Sequence, residues 1–431
     1  MNQTAALLLQ YNPWLRDPHR QAELIAARLP SPLIAREPMP ELRTDRVLLV
    51  IGPRQAGKST LLLELARRQT RPVVVVSCEE PAIRARCRSA GELLLWLAAE
   101  VIDIPALLIL EEIQHVDDAG LLLKGLADSH SGHSVAATGS ASYQLRARTR
   151  ESLAGRADRV LLLPLSHAEL AHEARSLPLA ARHVACREIW MRQLRYGGYP
   201  AAWLSNNPEA ELARLAEAFV LRDASDLYQV EHLDAFRTLM RLAALDTGQI
   251  VNLASWASEA GIARDTASRY LDLLEESHLV RRVRPFLGGK RAELKSATKV
   301  YYLDNGLRNA LFGGFGAVAD RADGGALAES WVFAEIAKCT GLLDSVRFWR
   351  TRGGAEVDFV VDRPTGERFG IEVKLGALNE PRLSRGARAF IEAYRPTRFL
   401  LVNDGLSQVV DVDGVPVHFC RPWDLPHLLG S

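Results

Sequence analysis

Gly52, Gly57, Lys58 and Ser59 stand in the spacing G-x-x-x-x-G-K-[ST]. Glycine permits the dihedrals that turn backbone N–H groups inward, and inward N–H groups cradle phosphate oxygens. The candidate cradle is Gly52-Pro53-Arg54-Gln55-Ala56-Gly57-Lys58-Ser59-Thr60. Lys58 would reach the β- and γ-phosphates, and Ser59 would place its hydroxyl on Mg²⁺. The apolar run Val47–Ile51 ahead of the loop reads as a buried strand. Leu61-Leu62-Leu63 behind it reads as a helix, whose positive dipole end adds to the cradle. A chance glycine turn needs neither flank.

A second apolar run, Ala106–Leu110, ends in Glu111-Glu112. Downstream of a phosphate loop, such a strand suits the Walker B element of P-loop ATPases. There the first acid helps hold Mg²⁺ and a following Glu polarises the attacking water. Glu111 is therefore the metal candidate and Glu112 the base, with Glu111 standing where Asp is usual. Ser134–Ser140 is a further strand ending in small polar residues. Thr138 or Ser140 would sense the γ-phosphate at the carboxyl edge of the sheet, or simply form a turn. Arg156, ahead of the apolar run Val160–Leu165, either stabilises phosphate charge or makes a plain salt bridge.

These residues need a parallel sheet to hold them. Val73–Val76 is apolar at every position, the pattern of a strand buried on both faces. Leu93–Val101 reads as a helix between strands. Residues 1–45 read as a helical preface broken by Pro30, Pro32, Pro38 and Pro40. The 431 residues suggest two to four domains, and the net charge of +1 leaves no global field for nucleic acid or membrane. Five scattered cysteines without a C-x-x-C pair indicate neither zinc nor a disulfide framework, and a reducing cytoplasm fits. No signal pattern opens the chain. No apolar run reaches the roughly 20 residues a membrane span needs.

Six segments together carry a resemblance. They are residues 52–59, 110–114 (Leu-Glu-Glu-Ile-Gln), 138–140 (Thr-Gly-Ser), 153–156 (Leu-Ala-Gly-Arg), 164–166 (Pro-Leu-Ser) and 197–200 (Gly-Gly-Tyr-Pro). The chain resembles, over nearly its full length, the bacterial and archaeal AAA-type ATPases with a C-terminal DUF4143 domain. The resemblance implies ATP and Mg²⁺ as cofactors and ATP hydrolysis as the activity. It implies an α/β fold: a P-loop NTPase parallel sheet over 46–170 and a helical extension over 171–234.

Residues 235–304 read as a winged helix–turn–helix. Phe236, Leu239, Met240 and Ala243 form one apolar helix stripe. A second helix ends at Gly261. A third, Arg264–Ser277, points Ala267, Tyr270, Leu271 and Leu274 inward. From Arg281 to Arg291 there are five basic residues and no acid. Either the third helix and the wing meet DNA, or the module packs within the protein.

Residues 305–431 read as a small α/β unit. In Gly370-Ile371-Glu372-Val373-Lys374, the alternation puts Glu372 and Lys374 on one strand face. With Asp358 on a neighbouring strand, this resembles the PD-(D/E)xK nuclease core. That resemblance implies Mg²⁺ held by Asp358 and Glu372, water positioned by Lys374, and Glu329 added from the first helix. Alternating charge on an exposed strand is the plainer reading of Glu372 and Lys374. A protein partner is the other expected target of such a nucleotide switch. The sequence leaves the oligomeric state open.

Overall fold

Short apolar runs build the sheet that carries the phosphate loop. The computed structural model describes residues 3–139, 153, 155–220, 230–289, 293, 297–341 and 344–430. Its first five strands are β1 (Val47–Ile51), β2 (Val73–Ser77), β3 (Leu107–Glu111), β4 (Ser134–Gly139) and β5 (Ala157–Leu161). All pair in parallel, in the order β2-β3-β4-β1-β5. Val47 and Leu49 pack on one face of β1, Leu48 and Val50 on the other. Both faces are thus covered, which is why these strands are apolar throughout and not at alternate positions. Burial of each such side chain contributes about 1.5–3 kcal/mol. β1 has a partner on either side, so the loop leaves the sheet from a well-anchored position. The last strand runs from Ala157, not Val160. At the sheet edge it is only half-buried, so it carries Asp158 and Arg159.

The helical preface does more than precede the sheet. β2 is an edge strand, and an edge leaves backbone groups unpaired. The Asn12 amide donates to Val75 O at 2.8 Å and accepts from Val75 N at 2.7 Å. Trp14 Nε1 donates to Val73 O at 2.7 Å, and Gln21 Oε1 accepts from Val73 N at 3.0 Å. Side chains of residues 12–21 so stand in for a sixth strand. Met1–Leu163 with Glu276–His278 forms one compact unit, and Pro164–Glu275 with Leu279–Ser431 forms the other.

In the second unit one core joins residues assigned to three segments. Leu212 and Phe219, Phe236 and Tyr270, and Leu307 all belong to it. Three helices, Leu233–Leu245, Leu253–Glu259 and Arg264–Glu276, lead into an antiparallel pair, β6 (Val280–Val283) and β7 (Lys299–Tyr302). Phe236, Leu239, Met240, Ala243, Ala267, Tyr270, Leu271 and Leu274 are all buried, as the helical periodicity predicts.

A six-stranded sheet follows: β8 (Ser345–Arg350), β9 (Glu356–Asp362), β10 (Arg368–Val373), β11 (Arg398–Val402), β12 (Gln408–Val412) and β13 (Val415–Cys420). Its order is β12-β13-β11-β10-β9-β8. β9 is antiparallel to β8 and β10, while β10, β11 and β13 are parallel. The helix Arg385–Tyr394 makes the crossover from β10 to β11.

The described part of the expected wing makes contacts within the chain, although Arg284 stays exposed. Phe348 N donates to Arg284 O at 3.1 Å, and Phe286 N donates to Phe348 O at 2.6 Å. Phe286 packs edge-on against Phe390 and Tyr394 at 6.0 and 5.2 Å. Residues 284–286 therefore extend the hairpin along β8 and cover that sheet edge. Arg282 is held by Glu275 and Asp272 of its own third helix, each at 2.6 Å. No helix among the described residues is long and apolar enough to cross a membrane.

Candidate functional site

The phosphate loop folds as its spacing requires. Gly57 has φ 97° and begins the helix Lys58–Arg67. Gln55, with φ 61°, adopts the same left-handed region despite its Cβ. A Cβ on Gly52 would lie 2.1 Å from Leu162 O, so the chain leaving β5 fixes this glycine. Lys58 is buried, and its Nζ donates to Gly52 O at 3.1 Å and Pro53 O at 2.9 Å. Its ammonium thus sits against the loop. Arg36 braces the loop from outside, donating to the carbonyls of Ala56 and Leu163.

The ends of β3 and β4 complete the site. The Ser59 hydroxyl at the start of the loop helix favours the ionised form of the Glu111 carboxyl at the end of β3. Burial pushes the Glu111 carboxyl above the usual range; Ser59 opposes this, Glu112 adds to it, and Arg28 opposes it. Glu112 leaves the strand with φ 54° and ψ 48°. Its N–H donates to Thr138 Oγ1 at 3.1 Å, and the Gln114 amide donates to its Oε2 at 2.5 Å. Thr138 is fully buried and pairs with Val50 beside the loop. The turn that aims Glu112 is therefore held from two sides. A left-handed glycine at a helix start suits phosphate, and a serine hydroxyl and a carboxylate are hard oxygen donors suited to Mg²⁺. These residues fit ATP with Mg²⁺.

Ser140 lies outside the described residues. Arg156 needs correction. It precedes β5, and Ala157 pairs with Val47 at the start of β1. The loop begins five residues further along, at the other end of the strand, roughly 17 Å away. Arg156 Nε instead pairs with Asp128 Oδ1 at 2.5 Å, both side chains well exposed. The plain salt bridge is the reading that stands.

A second cluster lies in the C-terminal sheet. Ile371 pairs with Phe359, so Asp358 and Glu372 follow at neighbouring positions of β9 and β10. Val373 N donates to Asp358 Oδ2 at 2.8 Å. Lys374 Nζ lies 2.8 Å from Glu372 Oε1, and Ser384 Oγ donates to Glu372 Oε2 at 2.7 Å. Glu329, from the helix Gly324–Cys339, accepts from Tyr301 Oη at 2.5 Å. Burial pushes the Asp358 carboxyl well up, and the charge of Glu329 adds to this; Lys299 and the Val373 N–H oppose it, and Glu372 adds further. Burial lowers the affinity of Lys374 for its proton, but Glu372, Asp358 and Glu329 outweigh it and leave the ammonium favoured. The four residues drawn from the nuclease resemblance are thus brought together. As the side chains stand, Asp358 Oδ2, Glu329 Oε1 and both Glu372 oxygens are engaged by chain donors. No group of three His, Cys, Asp or Glu among the described residues is set to hold a metal ion. The arrangement does not fit a divalent ion in this conformation.

Sequence reasoning overlooked several contributors. Arg28 acts on Glu111 from the preface, Gln114 orients Glu112, and Ser384 caps a helix while holding Glu372. Lys299 pairs with Glu329 and Glu356. A Gln two positions after the acid was visible in the segment 110–114; the others carry no local signal.

Residues 44–171 match the family model of an AAA domain. Residues 187–317 and 324–420 match two domains of unknown function, DUF8612 and DUF4143. The first interval holds the loop, Glu111, Glu112 and Thr138, and the last holds Glu329, Asp358, Glu372 and Lys374. Among similar proteins, an uncharacterised protein of Mycobacterium tuberculosis is 27% identical over 83% of this chain and 76% of its own length. One from Haemophilus influenzae is 25% identical over 88% and 94%. One from Methanocaldococcus jannaschii is 25% identical over 84% and 81%. A solved ORC2 protein of Aeropyrum pernix, as ADPNP-ADP complexes, is 14% identical with a TM-score of 0.32, covering 55% of this chain and 81% of that one.

Proposed function

We propose that this chain binds ATP with Mg²⁺ at Gly52–Thr60 and hydrolyses it. The observation that carries this reading is the loop itself: Gly57 at φ 97° opens the helix Lys58–Arg67, and the buried Lys58 ammonium lies against the carbonyls of Gly52 and Pro53. ATP with Mg²⁺ supplies the phosphoryl group that is transferred. Such transfer depends mainly on positioning and charge stabilisation. The loop N–H groups and Lys58 bind the phosphates. Ser59 and Glu111 hold the metal side of the nucleotide. Glu112, fixed by Thr138 and Gln114, polarises the attacking water and takes its proton. Steady-state phosphate release by the full-length protein tests this: activity lost on Lys58→Ala supports it, and no activity with any nucleotide opposes it.

Residues 164–431 are the output of nucleotide state in this reading. We read the three helices with β6 and β7 as a winged helix and the C-terminal strands as a PD-(D/E)xK core. Exposed Arg264 and Arg269 on the third helix are its candidate DNA contacts. A second reading is a slow nucleotide-gated switch that binds a protein partner and cuts nothing. The docked Phe286 and the paired Arg282 favour it, because they commit the hairpin to internal packing. Turnover measured with and without single-stranded, duplex and branched DNA separates the two readings. Stimulation by one DNA form supports the first, and indifference to all supports the second.

A further inference from the structure

The two larger sheets have four edge strands among the described residues, and three are guarded. Residues 12–21 serve β2, residues 284–286 cover β8, and β5 carries Asp158 and Arg159. The fourth, β12, has no strand beyond it among the described residues. It lacks the usual deterrents of an edge: a lysine, a proline or a bulge. Its one charged side chain, Asp411, is turned to the hairpin, where Oδ1 accepts Gly414 N at 3.0 Å. Val409 is 60% exposed.

The backbone of β12 faces outward at defined places. Pro416 lies opposite Asp411 and has no N–H to exchange, so this is a non-bonded pair of the antiparallel ladder. Bonded and non-bonded pairs alternate, so Val409 opposite His418 is non-bonded too. Val409 and Asp411 therefore turn their N–H and C=O groups away from β13. An extended chain adds to a sheet through such groups.

The side chains beside them supply the charge. Val409 pairs with His418, and Cys420 follows two residues on, so the three share one face of the sheet. Together with the helix Leu179–Tyr196 they line a cavity of about 850 Å³. That helix contributes Leu179, Arg182, His183 and Cys186, spaced three and four apart and thus on one side. Arg175 and Arg421 add two guanidinium groups, against one carboxylate, Asp424, among the described residues. Arg182 donates to Leu177 O at 3.1 Å and Arg421 to the His183 ring at 2.6 Å; neither forms an ion pair among the described residues. The other face of β12 is apolar, with Val410 and Val412 packed on the core.

We propose that β12 is a docking edge for an extended acidic peptide of another protein. Paired along Val409 and Asp411, the peptide sets its acids toward Arg182 and Arg421. Its alternate apolar side chains continue the face of Val410 and Val412. A second copy of this chain fits less well, because two-fold pairing of β12 brings the arginines of both copies to the same face of the joint sheet. The proposal rests on the protein-partner reading above and not on nucleotide turnover.

Fluorescence anisotropy of a labelled peptide of Glu-Val repeats, titrated with the full-length protein, tests it. The peptide should bind, and the matching Lys-Val peptide should not. Arg182→Glu, at an exposed position, should weaken binding roughly tenfold or more, since it sets like charges side by side. Val409→Pro removes an outward N–H and no bond to β13, and should cost roughly tenfold, about one hydrogen bond. N-methylation of the peptide reads the same pairing without altering the protein. A paired strand turns only alternate N–H groups toward its neighbour, so methyl groups on one set, glutamates or valines, should abolish binding while the other set spares it. No binding at about 100 µM protein, where an ordinary transient contact shows, would overturn the proposal. So would binding kept by both methylated peptides, or equal affinity of the parent and Arg182→Glu. A dimer seen by sedimentation that Val409→Pro makes monomeric would overturn the acidic partner in favour of a second copy. Phosphate release from the same samples bears on the nucleotide reading alone.

Discussion

The hydroxyl of Thr138 accepts the backbone N–H of Glu112 at 3.1 Å. These residues end neighbouring strands, and the contact holds Glu112 in a left-handed conformation that a glutamate rarely adopts. Thr138→Val keeps the shape and removes the acceptor. The Glu112 N–H is then left without its partner, a loss of about 1–3 kcal/mol. Turnover should fall roughly tenfold while nucleotide affinity changes little, because the contact aims the base and touches no phosphate. Thr138→Ser should restore the rate. Measured kcat and nucleotide Kd check this; an unchanged kcat in Thr138→Val would separate Thr138 from the base.

Lys58 and Glu112 should fail in different ways. Lys58→Ala removes an ammonium that sits against the loop, so nucleotide binding should fall with the rate. Glu112→Gln keeps the shape and the Gln114 neighbour but removes the proton acceptor. Its binding should persist while turnover drops by about 10²–10⁴. Parallel calorimetric titration and phosphate release distinguish the two. A Glu112→Gln variant that hydrolyses at the parent rate would take Glu112 out of the base role.

Glu111 predicts an acid limb. Burial is the main cause of its raised carboxyl pKa, with Ser59 working against it. A raised acid stays protonated to higher pH, and the protonated form cannot hold a cation. kcat/KM should therefore climb as pH rises through a value above 4.5, the ordinary value for this group. kcat/KM reports the free enzyme, in which no bound metal has yet pulled that value down. A profile flat down to pH 4.5 in a protein that stays folded would show that Glu111 need not be ionised.

The loop, Glu111 and Glu112 could be read from the chain because their chemistry is local: a glycine spacing and two strand ends. Other features depend on partners far along the chain. Gly197-Gly198 reads as a turn, but its cause lies at Asp304, whose carboxylate accepts Gly198 N at 2.6 Å. A Cβ on Gly197 would meet that carboxylate at 2.1 Å. Arg156 has two readings in the sequence because a short motif does not say which end of a strand it joins. The wing has two readings for a related reason. A basic run looks exposed until Glu275 and Asp272 are found beside Arg282. Lys299 looks like any strand lysine, since Glu329 and Glu356 lie 30 and 57 positions away.

Asp358 supplies the last prediction, in which stability and site chemistry oppose each other. Burial and the charge of Glu329 raise its carboxyl pKa well above 3.8, although Lys299 and the Val373 N–H partly offset them. An acid that holds its proton more tightly when folded makes the fold less stable as pH rises from the unfolded value to the folded one. Asp358→Asn removes the ionisation and keeps an oxygen for the Val373 N–H. The variant should match the parent near pH 4 and become more stable than it as pH rises. The gain expected at neutral pH is on the order of 0.5–2 kcal/mol, the size of an ordinary stabilising substitution. Thermal unfolding across pH 4–8 checks the sign. A variant less stable than the parent at neutral pH would mean that the attraction of Lys299 for ionised Asp358 outweighs burial and Glu329. Asp358 would then be a structural ion-pair member, and the cluster would have no acid under strain to offer a metal.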